Sequence, residues 1–179
     1  ILSWDCHGRD NQSFVPVAAA PKPARAAPAK AAAAPRITPA PPGPEVFWLQ
    51  VDGRAMCLAA EPKRAGTKVA LNVCAPGLGL ALKAGRGGTL TTVDGKLCLE
   101  VPGASKRNGT PLRLAACDGG AAQKIFFGRQ GKVHASGVGK CLSFKGPNGL
   151  PLPGLPVFST TCRDIGPQSY KRVKAAPPY

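Results

Sequence analysis

The stretch Gly95–Phe127, GKLCLEVPGASKRNGTPLRLAACDGGAAQKIFF, decides the fold, because versions of it recur before and after it. It opens on Cys98-Leu99, turns through Asn108-Gly109-Thr110, runs an apolar strand into Cys117 and closes on Gln123-Lys124-Ile125. The opening recurs upstream as Gly53-Arg54-Ala55-Met56-Cys57-Leu58 and downstream as Gly137-Val138-Gly139-Lys140-Cys141-Leu142, with the cysteines spaced by 41 and 43 residues. The second cysteines keep step: Cys74, Cys117 and Cys162 follow their openings by 17, 19 and 21 residues. Gln123 and Ile125 fall six and eight residues after Cys117, Gln168 and Tyr170 keep those offsets from Cys162, and Leu80 and Leu82 stand there in the first repeat. A period of about 40 is shared by WD40 blades and HEAT helix pairs. Blades need a Trp-Asp signature and more copies, and HEAT pairs need long amphipathic helices; the sequence has neither.

Within each repeat the apolar runs are short and separated by Gly-rich turns. Asp52-Gly53, Asp94-Gly95 and Asn108-Gly109 read as tight hairpin turns, since glycine admits positive φ. No helical periodicity competes, so the reading is all-β.

Three repeats of this kind, each with a Cys-Leu opening, an Asn-Gly turn or its remnant and a Gln-x-aromatic close, resemble the ricin B-type lectin family. The resemblance implies a β-trefoil over residues 45–170. That family closes its repeats with Gln-x-Trp, whereas this chain has Ile125, Tyr170 and Leu82, which are apolar fillers of the same core. Repeat equivalence then pairs Cys57 with Cys74, Cys98 with Cys117 and Cys141 with Cys162. Three such bridges suit a core poor in large side chains and imply an oxidising, extracellular or cell-surface location.

A sugar site of the resembled family uses an acid two residues after the opening cysteine, a polar residue and an aromatic before the second cysteine, and Asn-Gln before the final aromatic. The first repeat offers Ala59, Ala70, Asn72 and Leu80, and the third Ser143, Phe158, Thr160 and Pro167-Gln168. The middle repeat keeps Glu100, Arg113 and Gln123, with Ala115 in place of the stacking aromatic and Ala122 in place of Asn. Its residues are the carbohydrate-binding candidates within the trefoil; a solvated Glu100–Arg113 cross-strand pair is the competing reading.

Residues 1–14, ILSWDCHGRDNQSF, repeat the closing half of the unit, with Gln12 and Phe14 six and eight residues after Cys6. The resemblance places Trp4, Asn11 and Gln12 at sugar-contact positions. Cys6 is the odd cysteine of seven. Its repeat-equivalent partner would precede Ile1, so its expected bond lies outside the local trefoil, upstream or on another subunit. Residues 15–44 hold nine prolines, twelve alanines, Lys22, Arg25, Lys30 and Arg36 and no acid. Proline at that density breaks any alanine helix and favours an extended arm of about 3.1 Å per residue. Residues 1–44 are therefore the expected contact with other protein subunits. Residues 171–179, KRVKAAPPY, read as a basic tail.

The net charge of +15 favours anionic partners, among them acidic glycans and other polyanions, although solubility alone accounts for it equally. Paired cysteines argue against a nuclear, nucleic-acid role. Asn11-Gln12-Ser13 and Asn108-Gly109-Thr110 satisfy the N-glycosylation sequon. No membrane span, cofactor motif or Cys-x-x-Cys metal spacing is present, and His7 and His134 stand in no Ser, His and acid arrangement. The expectation is a secreted, non-enzymatic binding or assembly module with largely eroded sugar positions; a glycan-binding lectin and a charge-driven polyanion or nucleic-acid binder are the alternatives.

Overall fold

The computed structural model describes residues 45–177. It has thirteen strands: β1 (Phe47–Val51), β2 (Met56–Ala59), β3 (Ala70–Val73), β4 (Leu82–Gly85), β5 (Thr89–Thr92), β6 (Leu97–Glu100), β7 (Thr110–Pro111), β8 (Arg113–Ala116), β9 (Ile125–Phe127), β10 (Val133–Ala135), β11 (Lys140–Phe144), β12 (Val157–Thr160) and β13 (Tyr170–Lys174). The three repeats begin with β1, β5 and β10 and end with β4, β9 and β13. Each carries a cap hairpin between those strands: β2–β3, β6–β8 and β11–β12. This is a β-trefoil.

The Cys-Leu opening makes sense on a pleated strand, where successive side chains face opposite sides. Leu58, Leu99 and Leu142 point into the core and are fully buried. Cys57, Cys98 and Cys141 face the other way, where each is bonded across its hairpin to Cys74, Cys117 or Cys162. Opposite the leucines stand Leu71, Leu114 and Ser159, so the same ladder position recurs in each cap. The caps meet on the pseudo-threefold axis through a closed ring of backbone hydrogen bonds. Val69 N–H donates to the Leu112 carbonyl at 2.9 Å, Leu112 N–H to Val157 at 2.9 Å, and Val157 N–H back to Val69 at 3.0 Å. All three residues are fully buried, so the ring satisfies donors and acceptors that water cannot reach.

The core is mostly aliphatic, with Phe47, Phe144 and Tyr170 as its large rings. Ile125, Leu82 and Tyr170, which replace the family's closing Trp, are all buried in it. Burial pushes the Tyr170 phenol well above its ordinary range.

The end of the trefoil differs from the expected boundary at residue 170. Strand β13 runs on to Lys174 and pairs antiparallel with all of β1, from Val51↔Tyr170 to Phe47↔Lys174, and Ala175 N–H donates to the Val46 carbonyl at 3.1 Å. The basic residues hide this strand in the sequence: Lys171 and Lys174 are exposed, Arg172 and Val173 are half-buried, and no clean alternation marks one face. Without β13 the outer edge of β1 would be left with unpaired backbone groups.

The three bridges close short loops, and each should contribute roughly 3 kcal/mol through the unfolded chain. Non-reducing peptide mapping should recover the six trefoil cysteines only as the three within-repeat pairs. Replacing Cys57 and Cys74 together by serine should lower the urea midpoint with little change in native-state spectra.

Candidate functional site

The ladder brings the sequence-predicted residues of the middle repeat together. Glu100 at the end of β6 pairs directly with Arg113 at the start of β8, and Cys98 pairs with Ala115. Ala59↔Ala70 and Ser143↔Phe158 occupy the matching register in the other caps, as do Cys57↔Asn72 and Cys141↔Thr160. The repeat alignment thus names equivalent places in space.

Glu100 is 7% exposed. Its Oε1 accepts from Arg113 Nε at 2.9 Å and from Arg113 Nη2 at 2.6 Å, and its Oε2 accepts from Gln123 Nε2 at 3.2 Å. Gln123 is wholly buried. Its second Nε2 hydrogen goes to the Ala116 carbonyl at 2.7 Å, while its Oε1 accepts the N–H groups of Asp118 at 2.9 Å and Gly119 at 3.2 Å. A primary amide offers two donor hydrogens and two acceptor sites, so Gln123 is fully used by the protein. Gln168 repeats the pattern at the same offsets: its Nε2 donates to the Thr161 carbonyl at 2.8 Å and its Oε1 accepts from Arg163 N–H at 2.7 Å. The glutamine of the closing motif is a clamp on the loop that follows the second cysteine. The fixed offset from that cysteine was visible in the sequence, but it does not say which way the amide points.

Arg113 retains solvent contact, with 43% of its side chain exposed. Beside it Ala115 supplies no ring. The arrangement can present one cationic edge, and it lacks the aromatic platform on which the apolar face of a pyranose rests.

The Ser143 Oγ turns to its neighbour's carbonyl, Phe144 O, at 3.4 Å. Asn108 sits exposed on its turn, where its Oδ1 accepts from Thr161 N–H at 3.1 Å and from Lys140 Nζ at 2.9 Å, tying the second repeat to the third. Trp4, Cys6, Asn11, Gln12 and the arm to residue 44 lie outside the described residues.

His134 lies beside the third bridge, its Nδ1 3.6 Å from Cys141 Sγ, and its ring stacks on Phe126 at 5.5 Å between centroids. With Cys162 it forms the one group of potential metal ligands found among the described residues. The two sulfurs are bonded to each other, so neither is available as a thiolate. Burial, followed by the charge of Lys132, lowers the His134 pKa. The unfolded chain therefore takes up the proton first as pH falls. This group's contribution is complete above the unfolded value of about 6.5 and is lost as pH drops toward the lowered folded value. The urea midpoint should fall on acidification through that window, and His134→Gln should remove part of the fall.

Two surface hollows stand out. One, of about 360 Å³, is lined by Lys63, Ala81, Thr92, Val93, Asp94 and Leu97. Its Asp94 accepts from Thr92 Oγ1 at 2.6 Å and from Lys96 N–H at 3.1 Å, bonds that hold its carboxyl below the usual range. The other, of about 330 Å³, includes Phe126, Phe127 and Arg172. The repeat comparison passes over these rings; their signal was the Phe126-Phe127 pair after Ile125, where the other repeats carry Lys83-Ala84 and Lys171-Arg172.

Fold and site together define a disulfide-tied lectin-type trefoil. A profile of the ricin-type β-trefoil lectin domain matches residues 47–169, and the chain belongs to that family. No curated protein matches it. Among solved structures it is similar to the designed threefold-symmetric protein ThreeFoil, at 20% identity over 73% of this chain and 99% of that one, with a TM-score of 0.63. It is similar to a Polyporus squamosus lectin bound to a human-type influenza-binding epitope, at 15% identity over 74% of this chain and 50% of that one, with a TM-score of 0.59. The agglutinin of Abrus precatorius matches at 16% identity over 73% of this chain and 47% of that one, again with a TM-score of 0.59. Among the described residues no helix is long and apolar enough to cross a membrane.

Proposed function

We propose that this chain is an extracellular, non-catalytic binding or assembly module in which the family's sugar positions have been turned to holding the fold together. Glu100 carries the reading: it is the acid that would grip sugar hydroxyls, and it is nearly buried with both its oxygens already accepting from Arg113 and Gln123. Ala59 and Ser143 stand where the other two repeats would need that acid, and Ala115 stands where the middle repeat would need a ring. Three disulfides support a location outside the reducing cytosol. The assembly role rests on the Pro/Ala arm and the odd Cys6.

A backbone-amide NMR titration with methyl β-galactoside at millimolar concentration tests this. The amides of Glu100, Arg113 and Gln123 should not move, and Glu100→Ala should lower stability without changing retention on immobilised galactoside. Saturable shifts centred on those three residues, abolished by Glu100→Ala, would make the middle repeat a working lectin site. The exposed edge of Arg113 is the observation that favours that second reading, with an anionic sugar as ligand. Binding of every polyanion alike, lost at high salt, would reduce the activity to the +15 charge.

A further inference from the structure

The hollow of about 360 Å³ lies where the first repeat ends and the second begins: Ala81 directly precedes β4, Thr92 ends β5, Val93 and Asp94 start the turn that follows, and Leu97 opens β6. Counted from the closing and opening motifs, Ala81 corresponds to Lys124, and Val93 and Asp94 correspond to Ser136 and Gly137. At the junction of the second and third repeats that space is taken up. There the turn Ser136–Val138 packs so closely on Ala121–Gln123 that a Cβ on Gly137 would strike the Ala121 carbonyl. At the first junction the corresponding segments leave an opening of a size that holds small ligands.

Its floor is aliphatic and braced from beneath. Ala81 is buried in a cluster with Trp48 and the Cys57–Cys74 bridge, Val93 packs on that cluster, and Leu97 packs on the main core. One wall is a carboxylate in a fixed position. Thr92 Oγ1 donates to Asp94 Oδ1 at 2.6 Å and accepts from Leu97 N–H at 3.1 Å, and Lys96 N–H donates to the same Oδ1 at 3.1 Å. Both bonds to the carboxylate fall on one oxygen, and no donor among the described residues reaches Oδ2. Lys63 also lines the hollow, exposed and with no ion-pair partner among the described residues.

We propose that this hollow binds a free α-amino acid with an aliphatic side chain, its ammonium on Asp94 Oδ2, its carboxylate on Lys63 and its side chain on Ala81, Val93 and Leu97. The lining decides among ligand classes. A plain anion would meet Asp94, and a plain cation would meet Lys63 in a chain of net charge +15, whereas a zwitterion is matched at both ends. A pyranose would find no aromatic ring among the described lining residues. An aliphatic side chain would cover apolar surface that is otherwise left to water. Because two hydrogen bonds hold the Asp94 carboxylate before any ligand arrives, its ordering adds little to the cost of binding. The site is separate from the Glu100 position and does not rest on the reading of that position.

The test is an amide NMR titration of the full chain at neutral pH with L-leucine, with L-leucinamide, which lacks the carboxylate, and with isocaproate, which lacks the ammonium. Shifts with leucine should cluster at residues 63, 81 and 92–97 and saturate in the millimolar range. Isocaproate should bind about tenfold more weakly, since it forgoes a charge-assisted hydrogen bond to a fixed carboxylate. Leucinamide should bind about threefold more weakly, since the lost partner is an exposed lysine. Asp94→Asn keeps an acceptor for Thr92 and Lys96 and removes the charge; it should raise the leucine Kd about tenfold, and Lys63→Gln about threefold. Arg129→Gln, which removes an exposed cation outside the hollow, should leave it unchanged. The probe series is read on the unaltered protein and so does not depend on how either variant folds. Equal binding of the three probes, an unchanged Kd in Asp94→Asn, shifts centred away from the hollow, or no saturable shift with leucine would overturn the proposal.

Discussion

Gly137→Ala should destabilise the protein by at least about 3 kcal/mol, although it adds one methyl group to a residue that does not need a positive φ. Gly137 sits in the middle of a 3₁₀ turn, Ser136–Val138, which packs against a second turn, Ala121–Gln123. A Cβ there would run into the carbonyl group and Cα of Ala121, which are backbone and cannot rotate away. The two segments are also tied through Lys124, whose carbonyl accepts from Ser136 N–H at 2.8 Å and from Ser136 Oγ at 3.2 Å. Separating them would strain those bonds and the buried Gln123 next door. Gly139 supplies the control. It has a φ of +67° with open space where a Cβ would go, so alanine there meets only the left-handed backbone cost of about 1–2 kcal/mol. Urea denaturation of the two variants should rank Gly137→Ala well below Gly139→Ala. The reverse order would mean that the contact between the two turns is not held as described.

The contrast between these glycines shows what a sequence can and cannot convey. Hairpin turns at Asp52-Gly53, Asp94-Gly95 and Asn108-Gly109 were legible, and the three glycines have φ of +68°, +74° and +82°, because a turn is a local event. The trefoil itself was legible because the cysteine and leucine spacings report a ladder register repeated three times. Gly137 was legible only as a turn glycine, since its constraint comes from Ala121, a residue that only the fold brings near. Strand β13 was missed for a related reason: a short strand with exposed Lys171 and Lys174 and no apolar alternation resembles a basic tail until its partner β1 is known. The candidate site divides in the same way. Ladder positions offered a solvated Glu100–Arg113 cross-strand pair as the competing reading; the two do meet, but Glu100 is nearly buried and Gln123 donates to its second carboxylate oxygen, which the ladder does not convey.

The direction of the Gln123 amide makes the last expectation. Gln123→Ala should cost about 3 kcal/mol, from lost buried methylenes and from several polar groups stranded at once. Glu100 Oε2 would lose its donor in a site almost closed to water, and the Ala116 carbonyl and the Asp118 and Gly119 N–H groups would lose the amide that gathers them. Those last three residues are exposed, so water can replace part of what they lose. The buried carboxylate oxygen cannot recover as easily, and it sets the size of the effect. Gln168→Ala removes the same clamp in the third repeat, where Ser143 stands in the acid's place, so its cost should be smaller, about 2 kcal/mol. A double-mutant cycle isolates the difference: Glu100→Ala and Gln123→Ala together should cost measurably less than the sum of the single changes, because the second removes a bond already lost. Full additivity in urea denaturation would mean that the amide and the carboxylate do not act as a unit. The middle repeat would then again have a carboxylate oxygen available to a sugar hydroxyl.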